Sequence, residues 1–409
     1  MKTIEIKPYR LKNPIQNYSW GTKNNQAFIP RLLGFIPEKD KPYAELWMGA
    51  HPKAPSSIEL ESGSMNLQEF INANPEKILG KEVAKRFSNK LPFLFKVLSA
   101  AEALSIQAHP NKKQAELLHK KDPVNYPDDN HKPEIAIALD NLYALIGFRP
   151  FPEIQSVFEN FPELKSFIGT KFFEQLVNEF QETKNESSAL KKLYEKLSHI
   201  VSFKKNDFDT AIKLMRIKIN AHKDVPDLRE KLFLDLNDKY GSDIGLISLY
   251  LLNLVELKKG QGIFLNAGIP HAYLEGNIIE CMANSDNVVR AGLTPKFQDS
   301  ETLLKIMEYK SGIPEIFESA IDTDEYIYGV PVPEFQIKFL SGKPNESKRH
   351  IIKSVQILIL IEGALNLITE KSSSIKISTG SSLLIPASLK KYEIHFEKFS
   401  EIFIAYVAI

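Results

Sequence analysis

Over roughly the first 150 residues, short apolar runs alternate with Pro, Gly, Asn and Asp, a pattern that predicts β-strands joined by turns with a few helices. Residues 91–98 read as a buried strand. Lys96 falls there on the parity of Leu94 and Leu98, a position where an ammonium needs an anionic partner or a route to solvent. Residues 44–52 read as a strand running into a proline-ended loop, and 66–71 as the start of a short helix capped by Asn66. Residues 11–14 and 18–21 read as loop and turn, whereas 1–7 alternates polar and apolar positions like a strand.

From about 151 to 256 the period becomes helical. Phe172, Phe173, Leu176, Val177 and Phe180, then Leu190, Leu193, Tyr194 and Leu197, recur at threes and fours with charges between them, the signature of helix packing faces. The pattern continues through 211–219 and 227–236, and residues 240–243 cap a last helix running through Leu246, Leu249, Tyr250, Leu252 and Leu254. Strands return after 257. Residues 259–271 combine turn glycines, a buried strand and a tight turn that delivers His271. Residues 379–391 align with them without gaps, setting Gly380 on Gly260, Ile385 on Leu265, Ala387 on Ala267 and Lys391 on His271. Such repetition suggests two similar barrels or jelly rolls, the second without a metal ligand. It also accounts for the sparse chemistry of 355–361, 365–369 and 402–407. We expect a mainly β protein with an inserted helical domain. Its catalytic domain occupies 1–150 and, with a connector containing a short helix at 302–307, 257–325. The insertion spans 151–256, and a metal-free C-terminal domain spans 326–409.

Composition narrows the class of protein. The 409 residues suffice for two or three domains of roughly 150 residues. At 43% hydrophobic and 25% charged they have the composition of an ordinary soluble protein. A formal net charge of +1 gives no reason to expect nucleic acid or an anionic membrane as partner. Cys281 is the single cysteine, which excludes an intrachain disulfide and a cysteine-based zinc site. No run is long or apolar enough for a bilayer span, and residues 1–7 lack the apolar core of a signal peptide, so the expected placement is cytoplasmic.

The candidate chemistry gathers in Ser105-Ile106-Gln107-Ala108-His109-Pro110, His131-Lys132-Pro133-Glu134 and Ile269-Pro270-His271-Ala272-Tyr273. Residues two apart on a strand share a face, which aligns Ser105, Gln107 and His109, and separately Lys132 and Glu134. Glu134 shares its face with Ala136 and Ala138, and small residues beside an inward carboxylate suggest a cavity. Gln107, His109, Glu134 and His271 together offer two imidazole nitrogens, a carboxylate and an amide oxygen, a borderline donor set suited to Zn²⁺. We set aside His119, His131, His199, His222, His350 and His395, with His119 on the polar face of a helix at 112–121.

These segments, with Phe93-Leu94-Phe95-Lys96, Tyr18-Ser19-Trp20-Gly21-Thr22 and the long block from Glu280 to Lys296 containing Asn284-Ser285-Asp286-Asn287 and Arg290-Ala291-Gly292-Leu293-Thr294-Pro295, resemble the type I mannose-6-phosphate isomerases. The resemblance runs in order over nearly the whole chain, matching only in outline at the C-terminal domain. It implies two cupin-like domains, one Zn²⁺ per chain, and interconversion of mannose 6-phosphate and fructose 6-phosphate in the sugar-phosphate metabolism that leads to GDP-mannose. The family's four ligands fall on Gln107, His109, Glu134 and His271, and its catalytic arginine on Arg290.

Aldose-ketose isomerisation moves a proton between C1 and C2, and a guanidinium is a poor proton acceptor at neutral pH. The base is therefore sought in Glu280, a metal-held hydroxide or Lys132. Lys96, Ser105 and Lys296 suit the phosphate, while Tyr273, Trp20, Glu45 and His51 are expected around the sugar. Without the family pattern, Glu280 and Arg290 could simply pair with each other as a buried ion pair. Two rivals stand beside this reading: another metal-dependent enzyme of the same architecture, and a non-catalytic binder of sugar phosphates. The partner expected is a small sugar phosphate, and the chain is expected to act as a monomer.

Overall fold

The structure, a computed structural model, describes residues 4–60, 63–221, 226–321, 323–370 and 373–409. Three antiparallel sheets of eight, eleven and four strands carry most of it. The strand Phe93–Ala100 shows why the sheets pack as they do, since all of its residues are buried. Phe93, Phe95 and Val97 enter a core shared with Phe335, Ile337, Ile357 and Phe403 from the C-terminal region, which fastens the two β regions together. Leu94, Lys96 and Leu98 take the opposite face and line a cavity. Alternation along one strand thus separates packing from chemistry.

The helical block follows the threes-and-fours pattern. Phe151–Asn160, Pro162–Ile168, Thr170–Thr183, Glu186–Phe203, Lys205–Ala221, Leu228–Tyr240 and Gly245–Leu251 turn their apolar stripes into one core that includes Phe158, Phe173, Leu190, Leu193 and Leu197. Asp227 and Glu230 close a capping box at the start of Leu228–Tyr240. The last helix is shorter than its apolar spacing predicts. It ends at Leu251, and Leu252–Leu257 is a strand antiparallel to Leu142–Phe148, held also by the Asn253 amide on the carbonyls of Ile146 and Phe148. A short apolar run fits either period, and here the partner strand decides.

The N-terminal expectations need a similar correction. Tyr9–Lys12 is a strand, so Leu11 and Lys12 are not loop, and residues 4–7 are not strand. Residues 1–3 and His222 lie outside the described residues. Tyr9–Lys12 pairs with Ser382–Ile385 on one side and Ser57–Leu60 on the other, lacing the chain's start to its C-terminal sheet. Asn66 caps Leu67–Ala73 through the N–H groups of Gln68 and Glu69, and the connector helix is Ser300–Ile306. In the C-terminal region, Gln336–Gly342, Gln356–Glu362, Ser382–Ile385 and Ser400–Tyr406 face Ser347–Ile351, Ala364–Thr369, Ser374–Ser378 and Lys391–Phe396 across an interior of Leu358, Leu360, Leu365, Leu367 and Ile394. Among the described residues no helix is long and apolar enough to cross a membrane.

Candidate metal centre and its cavity

One long strand, His271–Ala283, sets the site out in register. His271 pairs with Gln107, and Gln107 pairs on its other side with Arg290. Nine residues along the strand, Glu280 lies opposite Lys96 on one side and Ala136 on the other, with Met282 opposite Glu134. The turn before His271 depends on Gly268. Its φ is +82°, a Cβ there would meet the Ile306 carbonyl oxygen at 2.8 Å, and its N–H donates to the His109 carbonyl at 2.8 Å.

His109, Glu134 and His271 converge, with ligand atoms all within 4.8 Å of one another. His109 Nε2 lies 3.5 Å from Glu134 Oε2, and His271 Nε2 lies 3.1 Å from Glu134 Oε1. The Gln107 amide meets His271 Nε2 at 3.4 Å. Each imidazole is held from behind: His109 Nδ1 donates to the Asn287 carbonyl and His271 Nδ1 to the Ile269 carbonyl, both at 2.9 Å. With the proton on Nδ1, each Nε2 presents its lone pair toward Glu134. His109 Nε2 and Glu134 Oε2 are buried without a hydrogen-bond partner, the carboxylate oxygen having only the ion-pair contact of the Lys132 ammonium. Such orphaned atoms cost about 1–3 kcal/mol each in an ordinary core, and a divalent cation satisfies both at once. The donor set therefore fits Zn²⁺.

Electrostatics agree with that use. Burial above all, with the Lys132 charge, pushes the His109 imidazole down to about 4 against the pull of Glu134, keeping it neutral. Burial alone would raise Glu134, but Lys132, His109 and His271 hold its carboxyl well below the usual range. Lys132 Nζ stands 3.2 Å from Glu134 Oε2, and the Tyr273 hydroxyl donates to Oε1 at 3.0 Å.

The centre sits beside a cavity of about 350 Å³ whose wall includes Ser105, Gln107, Lys132, Tyr273, Glu280 and Arg290. Trp20, Glu45, His51, Lys96 and Lys296 line it too. The cavity is not where Ala136 and Ala138 predict it. Those alanines are packed under Leu98, Tyr273 and Ile278, because neighbouring strands fill the space that small side chains leave. Lys96, expected at a phosphate, is instead bound between carboxylates, 2.7 Å from Glu280 and 3.8 Å from Glu45, with its ammonium 5.6 Å from the Trp47 ring. Burial works against that charge, yet Glu280 and Glu45 hold Lys96 above the usual lysine range. Burial raises Glu280 in turn, with Lys96 opposing. Glu280 therefore pairs with Lys96, not with Arg290.

Arg290 has no carboxylate partner among the described residues, and Lys296 lies 5.6 Å over the Tyr18 ring with Arg290's charge nearby. Asp286 also lines the cavity, 3.0 Å from Lys53 and 3.6 Å from His51, and it escaped the sequence reading although it stands in the 280–296 block. The other histidines lie elsewhere. His131 pairs with Glu334 at 2.8 Å, His119 meets the Tyr126 carbonyl and His395 the Ser347 hydroxyl.

The chain matches a family model described as phosphomannose isomerase type I, catalytic domain, over residues 9–151. It is 40% identical to the mannose-6-phosphate isomerase of Rattus norvegicus, covering 91% of this chain and 92% of that protein. It is 37% identical to mannose-6-phosphate isomerase 2 of Arabidopsis thaliana, over 98% and 92%. Among solved structures, a phosphomannose isomerase variant from Salmonella typhimurium superposes with a TM-score of 0.85 at 30% identity, covering 98% of this chain and all of the other. A zinc-bound mannose 6-phosphate isomerase superposes with a TM-score of 0.84 at 31% identity.

Proposed function

This chain belongs to the type I mannose-6-phosphate isomerase family, and from that premise we propose how its own residues divide the work. It is a zinc-dependent aldose-ketose isomerase that interconverts mannose 6-phosphate and fructose 6-phosphate, built from two cupin-like β domains with a helical domain between their elements. We draw the helical insertion at 151–251, because Leu252–Leu257 pairs with Leu142–Phe148 of the first β domain.

Gln107, His109, Glu134 and His271 are assigned to the zinc, on the convergence of the last three around orphaned ligand atoms. That convergence beside a cavity of sugar-phosphate size is the observation that carries the reading. When bound, the zinc supplies a Lewis acid for the negative charge that develops on the sugar's C1 and C2 oxygens.

Glu280 is the group assigned to take the proton from one carbon and return it to the other. Its burial favours the protonated form while the Lys96 ammonium at 2.7 Å stabilises the ionised one, so the carboxyl can exist in both states the reaction requires. Lys132 is the poorer candidate on geometry, its ammonium being occupied by Glu134 at 3.2 Å. Lys96 then tunes and holds Glu280 and is not assigned to the phosphate.

Arg290 sits directly opposite Gln107 in register, which supports a role in stabilising charge on the reacting oxygens with its permanent guanidinium. Lys296, a cation with no ion-pair partner among the described residues, and Ser105, a hydroxyl, both on the cavity wall, are assigned to the phosphate, with Trp20 and Tyr273 shaping the sugar's surroundings. Every one of these groups comes from a single chain, which supports a monomer as the working unit. The buried, unpaired Cys281 is compatible with a reducing cytoplasm as its setting.

The test is conversion of mannose 6-phosphate to fructose 6-phosphate before chelation, after it, and after Zn²⁺ is added back. Turnover should vanish on chelation and return with zinc. A folded, zinc-loaded protein without turnover would overturn the reading.

A further inference from the structure

The two metal-facing imidazoles are held in place by different means. His271 Nδ1 donates to the carbonyl of Ile269, two residues away in its own turn. His109 Nδ1 donates to Asn287, which lies 178 positions further along the chain in an irregular segment between two strands. A carbonyl in such a segment orients an imidazole only if something fixes the segment.

That something is the loop carrying Asp128. One carboxylate oxygen, Oδ1, accepts from the Ser285 hydroxyl at 2.8 Å, the Asn287 amide at 3.1 Å and the Asn130 N–H at 3.0 Å. The other, Oδ2, accepts the Asp286 N–H at 2.7 Å. The buried Asn287 amide donates further to the backbone carbonyls of Asp128 at 2.7 Å and Asn130 at 2.9 Å. The Asn130 amide closes the clamp on the Asn284 carbonyl at 2.9 Å. Asp128 touches neither the imidazole nor the cavity, yet it fixes successive groups of the segment whose carbonyl sets the His109 ring.

We propose that Asp128 and Asn287 are positioning residues for the metal, holding His109 in the Nδ1-protonated tautomer with Nε2 aimed at the ion. Outer-shell partners of this kind are worth roughly 10–100-fold in metal affinity. The inference rests on the zinc reading of the site.

Asp128→Asn is the sharpest test. Both carboxylate oxygens accept N–H or O–H donors, so an amide must turn its own NH₂ toward one of them and break that contact. The holoenzyme variant should surrender zinc to a competing chelator about 10-fold or more faster than the unaltered protein. The d–d spectrum of its Co²⁺-substituted form should change, while the melting temperature of the metal-free form moves little. Ser285→Ala removes one donor to Oδ1 and should give a smaller acceleration of the same sign, and it serves if Asp128→Asn does not fold. Unchanged zinc release with an unchanged cobalt spectrum in a folded variant would overturn the proposal. So would faster release fully matched by a loss of metal-free stability. A failure of the zinc reading is distinguishable, because there the unaltered protein itself would hold no zinc.

Discussion

Two stretches of this chain have nearly the same local build and opposite fates. Gly260 and Gly380 open them with φ of +81° and +83°. Each is followed by a four-residue strand, Gly262–Leu265 or Ser382–Ile385, then a turn, then a strand that begins at His271 or Lys391. His271 is fully buried against Glu134, whereas Lys391 is exposed and pairs with Glu370 at 2.5 Å. The unit is a delivery device that puts one residue at the head of a strand. What that residue does is decided by the strands facing it: Gln107 and Glu134 in the first domain, the exposed Ile351 in the second.

The strongest way to break this contrast is Glu134→Ala, which leaves the scaffold and removes the facing carboxylate. Loss of a direct ligand should exceed the roughly 10–100-fold cost of outer-shell changes. Zinc content should fall to trace levels and isomerase activity by about a thousandfold or more, both read on the purified folded variant. The vacated position also leaves the Lys132 ammonium without its carboxylate and the Tyr273 hydroxyl without its acceptor, so a lower melting temperature accompanies the loss. Zinc and turnover both intact would remove Glu134 from the ligand set and leave the facing carboxylate no part in the contrast.

Local pattern carried much of this in the sequence. The helical stripes, the buried strand around Lys96, the Asn66 cap and the gapless match of the two units are all statements about neighbours in the chain, and periodicity reports those. The repeat even set Lys391 on His271, and both residues start strands. Features that depend on cross-strand register were out of reach. The pairing of Lys96 with Glu280 spans 184 positions and the Asn287 carbonyl behind His109 spans 178. Ala136 and Ala138 suggested space, but what fills a face is contributed by other strands. Leu252–Leu257 looked helical because six residues offer too few apolar positions to separate the two periods.

The contrast can be sharpened at a buried imidazole of the C-terminal domain. His350 is buried beside Tyr392, ring to ring at 5.2 Å, and its Nε2 has no hydrogen-bond partner. Where His109 faces a carboxylate and a metal position, His350 faces none, and Lys338, Lys348 and Glu325 supply the charges around it. Burial first, then the Lys338 charge, pushes His350 down to about 4 from its ordinary 6.5. Below pH 6.5 the unfolded chain takes up a proton that the folded one refuses until about pH 4, so this group makes stability fall as pH drops through that window. The loss should reach about 3 kcal/mol at the lower end, at roughly 1.4 kcal/mol per pH unit. Denaturant unfolding of the protein and of His350→Gln across the window measures it, since the variant's curve should be flatter by that amount. Parallel curves would mean that His350 charges freely and that its surroundings are more open than those of the metal-facing histidines.

The smallest expected effect tests the comparison most directly. Lys391→His gives the second unit the residue of the first without the residues that face it. Register sets Lys391 opposite Ile351, an exposed aliphatic side chain, and the one carboxylate it pairs with among the described residues, Glu370, is itself exposed, unlike the buried Glu134. Only an exposed ion pair is lost, and such pairs are worth about 0–1 kcal/mol. The variant should bind a single zinc per chain, keep its activity, and melt within a degree or two of the unaltered protein. A second equivalent of metal in a titration would show that delivery alone makes a site. One equivalent means that a histidine at the head of a strand is inert until the opposing strands supply its partners, which locates the evolution of this chemistry in Gln107 and Glu134 as much as in His271.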